Sequence, residues 1–311
     1  MTFSQNYLKL NQQKNSKISV GLDPNLARIP KFILTDISDN HDETLIGQAI
    51  FNFNKYIIDC IHDLVPVVKP QLAYFEQFGW PGIKAYYDTI EYAHEKDLLV
   101  IADAKRGDIG ATSSAYASGF LNSTTHENVD AMTVNPYLGP DTLDEFFKTV
   151  KATGNGIFVL VKTSNPGSKD LQSLQTSNEN KDSNSEIVST WLNHEIQSNH
   201  EDLDNDYSDI GAVVGATYPE EMTTFRNLLK NSLFLVPGIG AQGGDISEIY
   251  RAFDKNKQGA IINSSRAILY PSTVDINTEK TQYTQAVRQA VLNLNTAINQ
   301  NLNQHYDQAE N

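Results

Sequence analysis

Eight short apolar segments, rich in β-branched residues, recur along the chain and constrain its fold more than any other feature. They lie at residues 18–24, 65–71, 98–105, 130–136, 156–163, 210–217, 233–240 and 259–266. Each segment is almost continuously apolar, which is the pattern of parallel strands that are covered by helices. Helical periodicity fills several of the gaps, so strands and helices alternate. Eight such units predict an α/β fold, the (β/α)8 or TIM barrel, as a single domain over residues 1–311.

A doubly wound open sheet is the alternative arrangement for alternating strands and helices. Such a sheet commonly has a Gly-x-Gly-x-x-Gly turn after its first strand, where it binds a dinucleotide. No such turn follows the segment at 18–24. The barrel is therefore the preferred prediction.

Three segments between or after the predicted strands have patterns of their own. Residues 142–154 have helical periodicity, with Asp141 predicted to cap the helix at its start and Gly154 at its end. Residues 169–209 are rich in Asn, Ser, Gln, Asp and Glu, and we expect an exposed insertion between the fifth and sixth strands. A helix inside it is predicted from apolar residues at helical spacing, namely Ile187, Val188, Trp191, Leu192 and Ile196. A C-terminal helix over about 280–303 is predicted in the same way from Tyr283, Val287, Val291, Leu294 and Ile298.

The composition of the chain argues against some classes of binding partner and favours one cellular compartment. The chain has 38 acidic and 24 basic residues, for a formal net charge of −14. This balance argues against nucleic acid and against anionic membranes, both of which attract clustered Lys and Arg. The N-terminus has no apolar signal segment, and no apolar run of about 18 residues occurs, so we expect a cytoplasmic protein. The single cysteine, Cys60, lies in a helical pattern and is interpreted as a packing residue.

Polar or conformationally special residues stand at the ends of nearly all the predicted strands. Because the carboxyl ends of barrel strands meet on one face, these residues predict an active site there. They are Asp23, Lys69, Asp103 with Lys105, Asn135, residues 162–164, Thr217, Gly238 with Gly240, and Arg266.

The segment DAKRGDIGAT, residues 103–112, carries the densest charge among these ends. Alternation along a strand places Asp103 and Lys105 on the same side, and Asp108 follows after a turn at Gly107. A structural ion pair is the simplest interpretation of such a triplet. Lys69 at the end of another strand adds a second ammonium group, and charges buried together at a barrel mouth are costly without a purpose. Ammonium and carboxylate groups in alternation keep each other charged, and such an array can stabilise a carbanion and then protonate it.

Two further segments predict a phosphate site on the opposite side of the mouth. PGIGAQGG, residues 237–244, follows the seventh strand, and NSSRAI, residues 263–268, ends the eighth. Loops after these two strands often bind phosphate in barrels. Gln242 can donate a hydrogen bond there, and Arg266 can bind a phosphate with two.

These motifs resemble the orotidine 5′-monophosphate (OMP) decarboxylase family, in its longer-chain bacterial subfamily. The family signature D-x-K-x-x-D corresponds to Asp103, Lys105 and Asp108. The resemblance extends over roughly residues 18–270 through segments in the same order and spacing. They are VGLDP, KPQLAYFEQFG, DAKRGDIGATSSAYA, TVNPYLGPD, VKTSNPGS, VPGIGAQGG and NSSRAI.

The resemblance implies conversion of OMP to UMP and CO2 with neither metal nor organic cofactor. It implies that Lys105 protonates C6 of the pyrimidine, and that Asp103 lies near the substrate carboxylate and helps to hold Lys105. Lys69 is expected to bridge Asp103 and a ribose hydroxyl. Asp108 is expected to reach the active site of a neighbouring subunit, which implies a homodimer.

The remaining residues carried over by the resemblance are expected to bind the substrate. Asp23 and Thr112 are expected at the ribose, and Ser164 at the pyrimidine ring. Gln242 and Arg266 are expected at the 5′-phosphate.

Two other functions are compatible with parts of this pattern. A decarboxylase of a keto-sugar acid phosphate shares the D-x-K-x-x-D signature, but it uses Mg²⁺, and a further carboxylate ligand is not evident in the sequence. Inhibition by EDTA separates this enzyme from the nucleotide decarboxylase. A non-catalytic binder of a phosphorylated ligand is the other alternative, but it would be expected to lose part of the charged array.

Overall fold

The structure is a computed structural model and describes residues 1–34, 43–199, 207–239 and 244–307. In this part of the chain, eight parallel strands form a closed barrel in which each strand pairs with its neighbours in sequence and β8 pairs with β1. The strands are β1 (Ile18–Leu22), β2 (Val67–Pro70), β3 (Leu99–Arg106), β4 (Ala131–Val134), β5 (Gly156–Lys162), β6 (Ser208–Val214), β7 (Ser232–Val236) and β8 (Ala260–Ser264). The predicted single-domain TIM barrel is therefore confirmed.

Helices alternate with the strands and surround the barrel. They are α1 (Phe3–Lys14), α2 (Glu43–Ile61), α3 (Ala73–Glu76), α4 (Gly79–Glu95), α5 (Gly110–Leu121), α6 (Asp144–Thr153), α7 (Asn184–Asn199), α8 (Pro219–Leu228), α9 (Arg266–Leu269) and α10 (Lys280–Tyr306). Short 3₁₀ turns occur at Leu26–Arg28, Pro140–Leu143, Pro166–Asp170 and Ile246–Ala252. None of the described helices is long and apolar enough to cross a membrane.

The continuous apolar character of the strands follows from burial on both faces. Alternate residues of β1, such as Ile18 and Val20, pack with helix residues in the larger core cluster. Other strand residues, such as Val67 and Ile101, form a second cluster inside the barrel. Strands β2 to β8 therefore contribute apolar side chains both to the barrel interior and to the layer between strands and helices, whereas the buried apolar residues of β1 belong to the outer layer.

Helix α1, which the sequence patterns did not predict, closes the N-terminal end of the barrel. Phe3 and Tyr7 join the interior cluster, and the Tyr7 hydroxyl donates to the carbonyl of Ala260 at 2.8 Å. The ring of Phe3 meets that of Phe158 edge-on, with centroids 5.7 Å apart. The opposite, C-terminal end of the barrel is the end that opens to a cavity.

The predicted helix at 142–154 differs from the structure at its start. Residues Pro140–Leu143 form a 3₁₀ turn, and α6 begins only at Asp144. Leu143 occupies the N-cap position without a side-chain bond, so the prediction that Asp141 caps this helix is wrong. Pro140 starts a helical turn early, which places Asp141 inside that turn. Gly154 ends the helix in the left-handed conformation, with φ 75°, as predicted.

Candidate active site

A cavity of about 690 Å³ opens at the carboxyl ends of the strands. This volume is in the range of sites that enclose a small molecule. Of the nine catalytic and substrate-binding residues that the family resemblance implies, six line the cavity: Asp23, Lys69, Asp103, Lys105, Ser164 and Arg266. Residues from distant parts of the chain therefore meet at one place, because the barrel brings its strand ends together.

Asp103 of β3 is the centre of the charged group. Its Oδ2 atom lies 2.7 Å from Nζ of Lys69, and its Oδ1 atom lies 2.5 Å from Nζ of Lys105. Lys69 is almost wholly buried, with 6% of its side chain exposed, whereas the Lys105 side chain is 44% exposed. One buried carboxylate thus holds two ammonium groups, one deep in the barrel and one at the cavity.

Two neutral side chains, neither of them predicted for the site, complete the hydrogen bonding of Asp103. Gln71 donates from Nε2 to Oδ2 at 2.9 Å, and Thr133 of β4 donates from Oγ1 to Oδ1 at 3.1 Å. Within the described chain, the carboxylate therefore accepts four hydrogen bonds, which fix its orientation. The sequence signal for Gln71 was its position two residues after Lys69, on the same side of the strand.

The backbone of β3 bulges where it carries Asp103 and Lys105. Ala102 pairs with Met132 but Arg106 pairs with Val134. Between these two pairs, β3 therefore contains two more residues than β4. Lys105 lies in the left-handed region, with φ 47°, which is costly for a residue with a side chain. Its amide donates to Thr133 Oγ1 at 2.9 Å. Asp103 and Lys105 do meet, as predicted, but the bulge and not simple alternation brings the lysine to the carboxylate.

Opposite charges determine the ionisation of the buried pair. Burial alone raises the pKa of the Asp103 carboxyl, but the neighbouring Lys69 and Lys105 ammonium groups outweigh it and hold that pKa well below its usual range. Burial likewise lowers the pKa of Lys69, but the charges of Asp103 and Asp23 outweigh it and raise that pKa above its ordinary value. The Asp103 carboxylate and the Lys69 ammonium are therefore both charged at neutral pH.

Asp23 follows β1 and lines the cavity. Its Oδ1 atom is buried and has no hydrogen-bond partner among the described residues. Asn263 at the end of β8 is similar, since its buried Oδ1 also lacks a described partner and the residue lines the cavity. Buried polar atoms are ordinarily paired, so these two are positions where a bound molecule can supply the missing donor.

Ser164 and Arg266 lie on other sides of the same cavity. Ser164 belongs to the loop after β5, and its carbonyl accepts a hydrogen bond from the Thr217 hydroxyl at 3.2 Å. Arg266 is exposed and begins α9, directly after β8. A second arginine that the sequence analysis missed, Arg28, also lines the cavity and stacks over the ring of Tyr270 at 4.3 Å. Two guanidinium groups therefore border the side where a phosphate was predicted.

Asp108 and Thr112 do not line this cavity, although they belong to the same motif. The Asp108 carboxylate accepts from the amide of Ile109 at 2.8 Å, and Thr112 is exposed in the first turn of α5. Ile109, which lies between them in the sequence, is 63% exposed, and Tyr137 in the loop after β4 is 73% exposed. Gln242 lies outside the described residues. In the described part of the chain, no group of three or more His, Cys, Asp or Glu could hold a metal ion.

Comparison with known proteins gives consistent matches over most of the chain. A sequence model of the orotidine 5′-phosphate decarboxylase / HUMPS family matches residues 17–273. The orotidine 5′-phosphate decarboxylase of Rhodopirellula baltica is 39% identical over 306 residues, which cover 96% of this chain and 99% of the relative. That of Clostridium tetani is 38% identical over 259 residues, covering 83% of this chain and 85% of the relative.

Solved structures of similar proteins share the whole architecture. The putative orotidine 5′-phosphate decarboxylase of Streptomyces avermitilis superimposes with a TM-score of 0.76 at 28% identity, covering 97% of this chain and 96% of the other. The OMP decarboxylase of Leishmania donovani gives a TM-score of 0.75 at 28% identity, covering 97% and 99%. On the extent of the family match and the identity to these relatives, the chain belongs to the orotidine 5′-phosphate decarboxylase / HUMPS family.

Proposed function

We propose that the protein is a carboxy-lyase that converts orotidine 5′-monophosphate to UMP and CO2 in de novo pyrimidine biosynthesis. The observation that carries this proposal is the Asp103 carboxylate held between the Lys69 and Lys105 ammonium groups at the cavity. Membership of the decarboxylase family supports it. Assignment to the longer-chain bacterial subfamily and a cytoplasmic location stay predictions.

The reaction breaks the bond between C6 of the pyrimidine and its carboxyl carbon. CO2 leaves, the electron pair of the broken bond stays on C6, and the Lys105 ammonium donates a proton to C6. The neutral amine then takes up a proton from solvent, which restores the enzyme. Lys105 suits this role because its Nζ atom is held at 2.5 Å from Asp103 while nearly half of its side chain reaches the open cavity. Charges fixed in advance need no reorganisation when the carbanion forms.

Asp103 and Lys69 prepare the site for this step. Asp103 holds Lys105 and, being ionised and buried, lies beside the position of the substrate carboxylate. Lys69 bridges Asp103 and a ribose hydroxyl. Oδ1 of Asp23, to which no described residue donates, accepts a hydrogen bond from the ribose.

The other ends of the substrate occupy the remaining walls of the cavity. Ser164 recognises the pyrimidine ring, and Arg266 together with Gln242 holds the 5′-phosphate. Binding energy from the phosphate, far from the reacting carbon, orders the substrate against the charged group and so contributes to the rate.

A homodimer is part of the proposal, with Asp108 and Thr112 serving the cavity of the partner subunit. Two observations support it: both residues lie off the cavity of their own chain, and they adjoin exposed apolar side chains. Ile109 stands between them on the chain, and Tyr137 and Leu138 lie in the next loop, which is joined to β3 by the Asn135 amide donating to the Arg106 carbonyl at 2.8 Å. Covering such residues is a common reason for association.

The function is tested by following the ultraviolet absorbance of OMP with purified protein, with and without EDTA. We expect turnover that EDTA leaves unchanged. Activity lost on chelation and restored by Mg²⁺ would favour the keto-sugar acid phosphate chemistry instead. Binding of UMP without any turnover of OMP would favour a non-catalytic phosphate binder.

The shared site is tested by mixing two inactive variants, Lys105→Ala and Asp108→Ala. If each site takes Asp108 from the partner subunit, a mixed dimer has one intact site and one doubly damaged site. Random exchange then restores about a quarter of the unsubstituted activity, since about half of the dimers are mixed. No recovery after exchange, verified by mass spectrometry of the mixed dimers, contradicts a shared Asp108.

A further inference from the structure

The first residues of the insertion after β5 fold back onto the loop that carries Ser164. Gln172 accepts a hydrogen bond on Oε1 from the amide of Thr163 at 2.9 Å and donates from Nε2 to the Thr163 hydroxyl at 2.9 Å. That hydroxyl in turn donates to Oδ1 of Asn165 at 2.6 Å. One glutamine side chain thus satisfies both the backbone and the side chain of Thr163, and the three loop residues 163–165 all line the cavity.

Gln172 is linked to the barrel through Ser185. Its amide donates to the carbonyl of Ser168 at 2.7 Å, and its carbonyl accepts from the amide of Ser185 at 3.0 Å. The Ser185 hydroxyl donates to the carbonyl of Val161 in β5 at 2.7 Å. The contact between Gln172 and the cavity loop is therefore anchored to the strand from which the loop begins.

Lys162, the last residue of β5, anchors the next residue of the insertion. Its side chain is fully buried, with Nζ at 2.5 Å from the Ser173 hydroxyl and 2.9 Å from the Glu221 carboxylate in the first turn of α8. A buried ammonium group is costly unless it is paired, so these contacts hold the three segments together. We call Gln172 and Ser173 the latch.

We propose that the latch positions the cavity loop 163–165 for the pyrimidine ring, with Gln172 as the positioning residue and Lys162 as its support. This inference rests on the proposed function, because it assigns the loop to the base of the nucleotide. A loop that is already held in its binding geometry loses no further conformational entropy when the ligand binds. The insertion is thus a part of the site's specificity, through residues that do not touch the substrate.

The test compares two ligands that differ only in the part that the loop recognises. UMP carries the base, ribose and phosphate, and ribose 5-phosphate lacks the base. For Gln172→Ala we expect calorimetry to show UMP binding weaker by about fivefold, the size of one or two lost hydrogen bonds, with ribose 5-phosphate binding unchanged. Ser173→Ala, which leaves the pair of Lys162 and Glu221 intact, shifts UMP binding in the same direction by less. Gln172→Glu keeps an acceptor for the Thr163 amide and restores part of the loss.

Asn178→Ala is the matched control, because Asn178 lies in the same insertion but bonds within it, to Asp182 at 2.9 Å. It is expected to leave the binding of both ligands unchanged. Equal weakening of UMP and ribose 5-phosphate in Gln172→Ala would show a general structural role and overturn the proposal.

Hydrogen exchange at the Thr163 amide provides a readout that does not depend on turnover. We expect exchange about tenfold faster in Gln172→Ala than in the unsubstituted protein and in Asn178→Ala, because the amide loses its acceptor. If the unsubstituted protein turns over OMP but this exchange is unchanged, the latch is overturned and the proposed function stands. If OMP is not turned over while the exchange is faster, the proposed function fails and the latch remains as a structural contact only.

Discussion

The two ends of the barrel both bury a cation, and they satisfy it in different ways. At the C-terminal end, Lys69 is paired with the Asp103 carboxylate, which Lys105 also contacts. At the N-terminal end, the guanidinium of Arg226 donates to backbone carbonyls, including those of Ala252 at 3.0 Å and Gly259 at 2.8 Å, and stacks on Phe234 at 3.6 Å. Burial lowers the pKa of Arg226 to about 10, which still leaves it charged at neutral pH.

The charged groups at the two ends therefore have different roles. Those at the N-terminal end stabilise the fold, and those at the C-terminal end can interact with a bound molecule. The Arg226 side chain has its donors occupied by several carbonyls and is almost wholly buried. At the other end, an oxygen of Asp23 has no partner in the described part of the chain, and Lys105 reaches the open cavity. We therefore expect substitutions at the C-terminal end to change activity much more than stability, and those at the N-terminal end to do the reverse.

Lys105→Ala is expected to have the largest effect on activity. Loss of the proton donor lowers kcat by about 10³-fold or more, in line with the contribution of a positioned acid. Because the side chain is 44% exposed, the free energy of unfolding is expected to change by less than about 1 kcal/mol. Turnover and urea denaturation of the same preparation measure both effects. Lys148→Ala, at an exposed ion pair with Glu145, is the control, and retained activity in Lys105→Ala would refute the assignment of the proton donor.

Arg226→Met is expected to be the largest destabilisation, with little effect on the chemistry. It removes the buried hydrogen bonds from the guanidinium to several backbone carbonyls, at a cost of about 3–5 kcal/mol in the free energy of unfolding. The kcat of the folded fraction should stay within about twofold, because the substitution lies at the end of the barrel away from the cavity. Chemical denaturation is the measurement, with Arg251→Met at a partly exposed ion pair as control. A large loss of kcat with unchanged stability would break the distinction between the two ends.

Asp103→Asn is expected to abolish most activity and to cost about 2 kcal/mol of stability at pH 7, because two ammonium groups lose a charged partner. Burial raises the pKa of Asp103, but the two lysines outweigh it, so its folded pKa is below the ordinary value of about 3.9. The carboxylate therefore stabilises the folded state when the pH is above that ordinary pKa. Its contribution is lost as the pH falls through the folded pKa. Denaturation curves between pH 7 and pH 3 should show the stability gap to the unsubstituted protein narrowing at the acid end. A gap that does not change with pH would contradict the low pKa.

His94→Gln is expected to have the smallest effect, at the N-terminal end. The His94 ring lies between the Glu127 and Asp130 carboxylates, 2.9 Å from each. Burial lowers the pKa of His94, but hydrogen bonds and charge from Asp130 and Glu127 outweigh it and raise that pKa. The stabilisation is therefore full below the ordinary pKa of about 6.5 and is lost as the pH rises through the raised value. We expect a loss of about 0.5–1 kcal/mol at pH 5.5 that shrinks towards pH 9. Thermal unfolding at a series of pH values tests this, with His62→Gln as control.

Sequence patterns alone determined the barrel and the charged residues that meet at its cavity. Eight apolar segments indicate strands that are buried on both faces. This pattern is local, because it is visible in the residues of each segment alone. Asp103, Lys105 and Lys69 were recognisable because charged residues at the ends of apolar strands are costly unless they serve a purpose. The family resemblance rested on short contiguous motifs of the same kind.

Only the tertiary structure decided which groups complete the site and how. Thr133 and Gln71 become partners of Asp103 across strand pairs, and Gln172 reaches Thr163 from a segment whose composition indicated only exposure. The bulge at Lys105 depends on the pairing of β3 with β4, and α1 closes the barrel end through contacts with strands far along the chain. These contacts join residues distant in sequence, so no local periodicity encodes them. Buried segments and charged residues at their ends can be recognised from the local sequence. Hydrogen-bond partners depend on which strands and loops come together when the barrel closes.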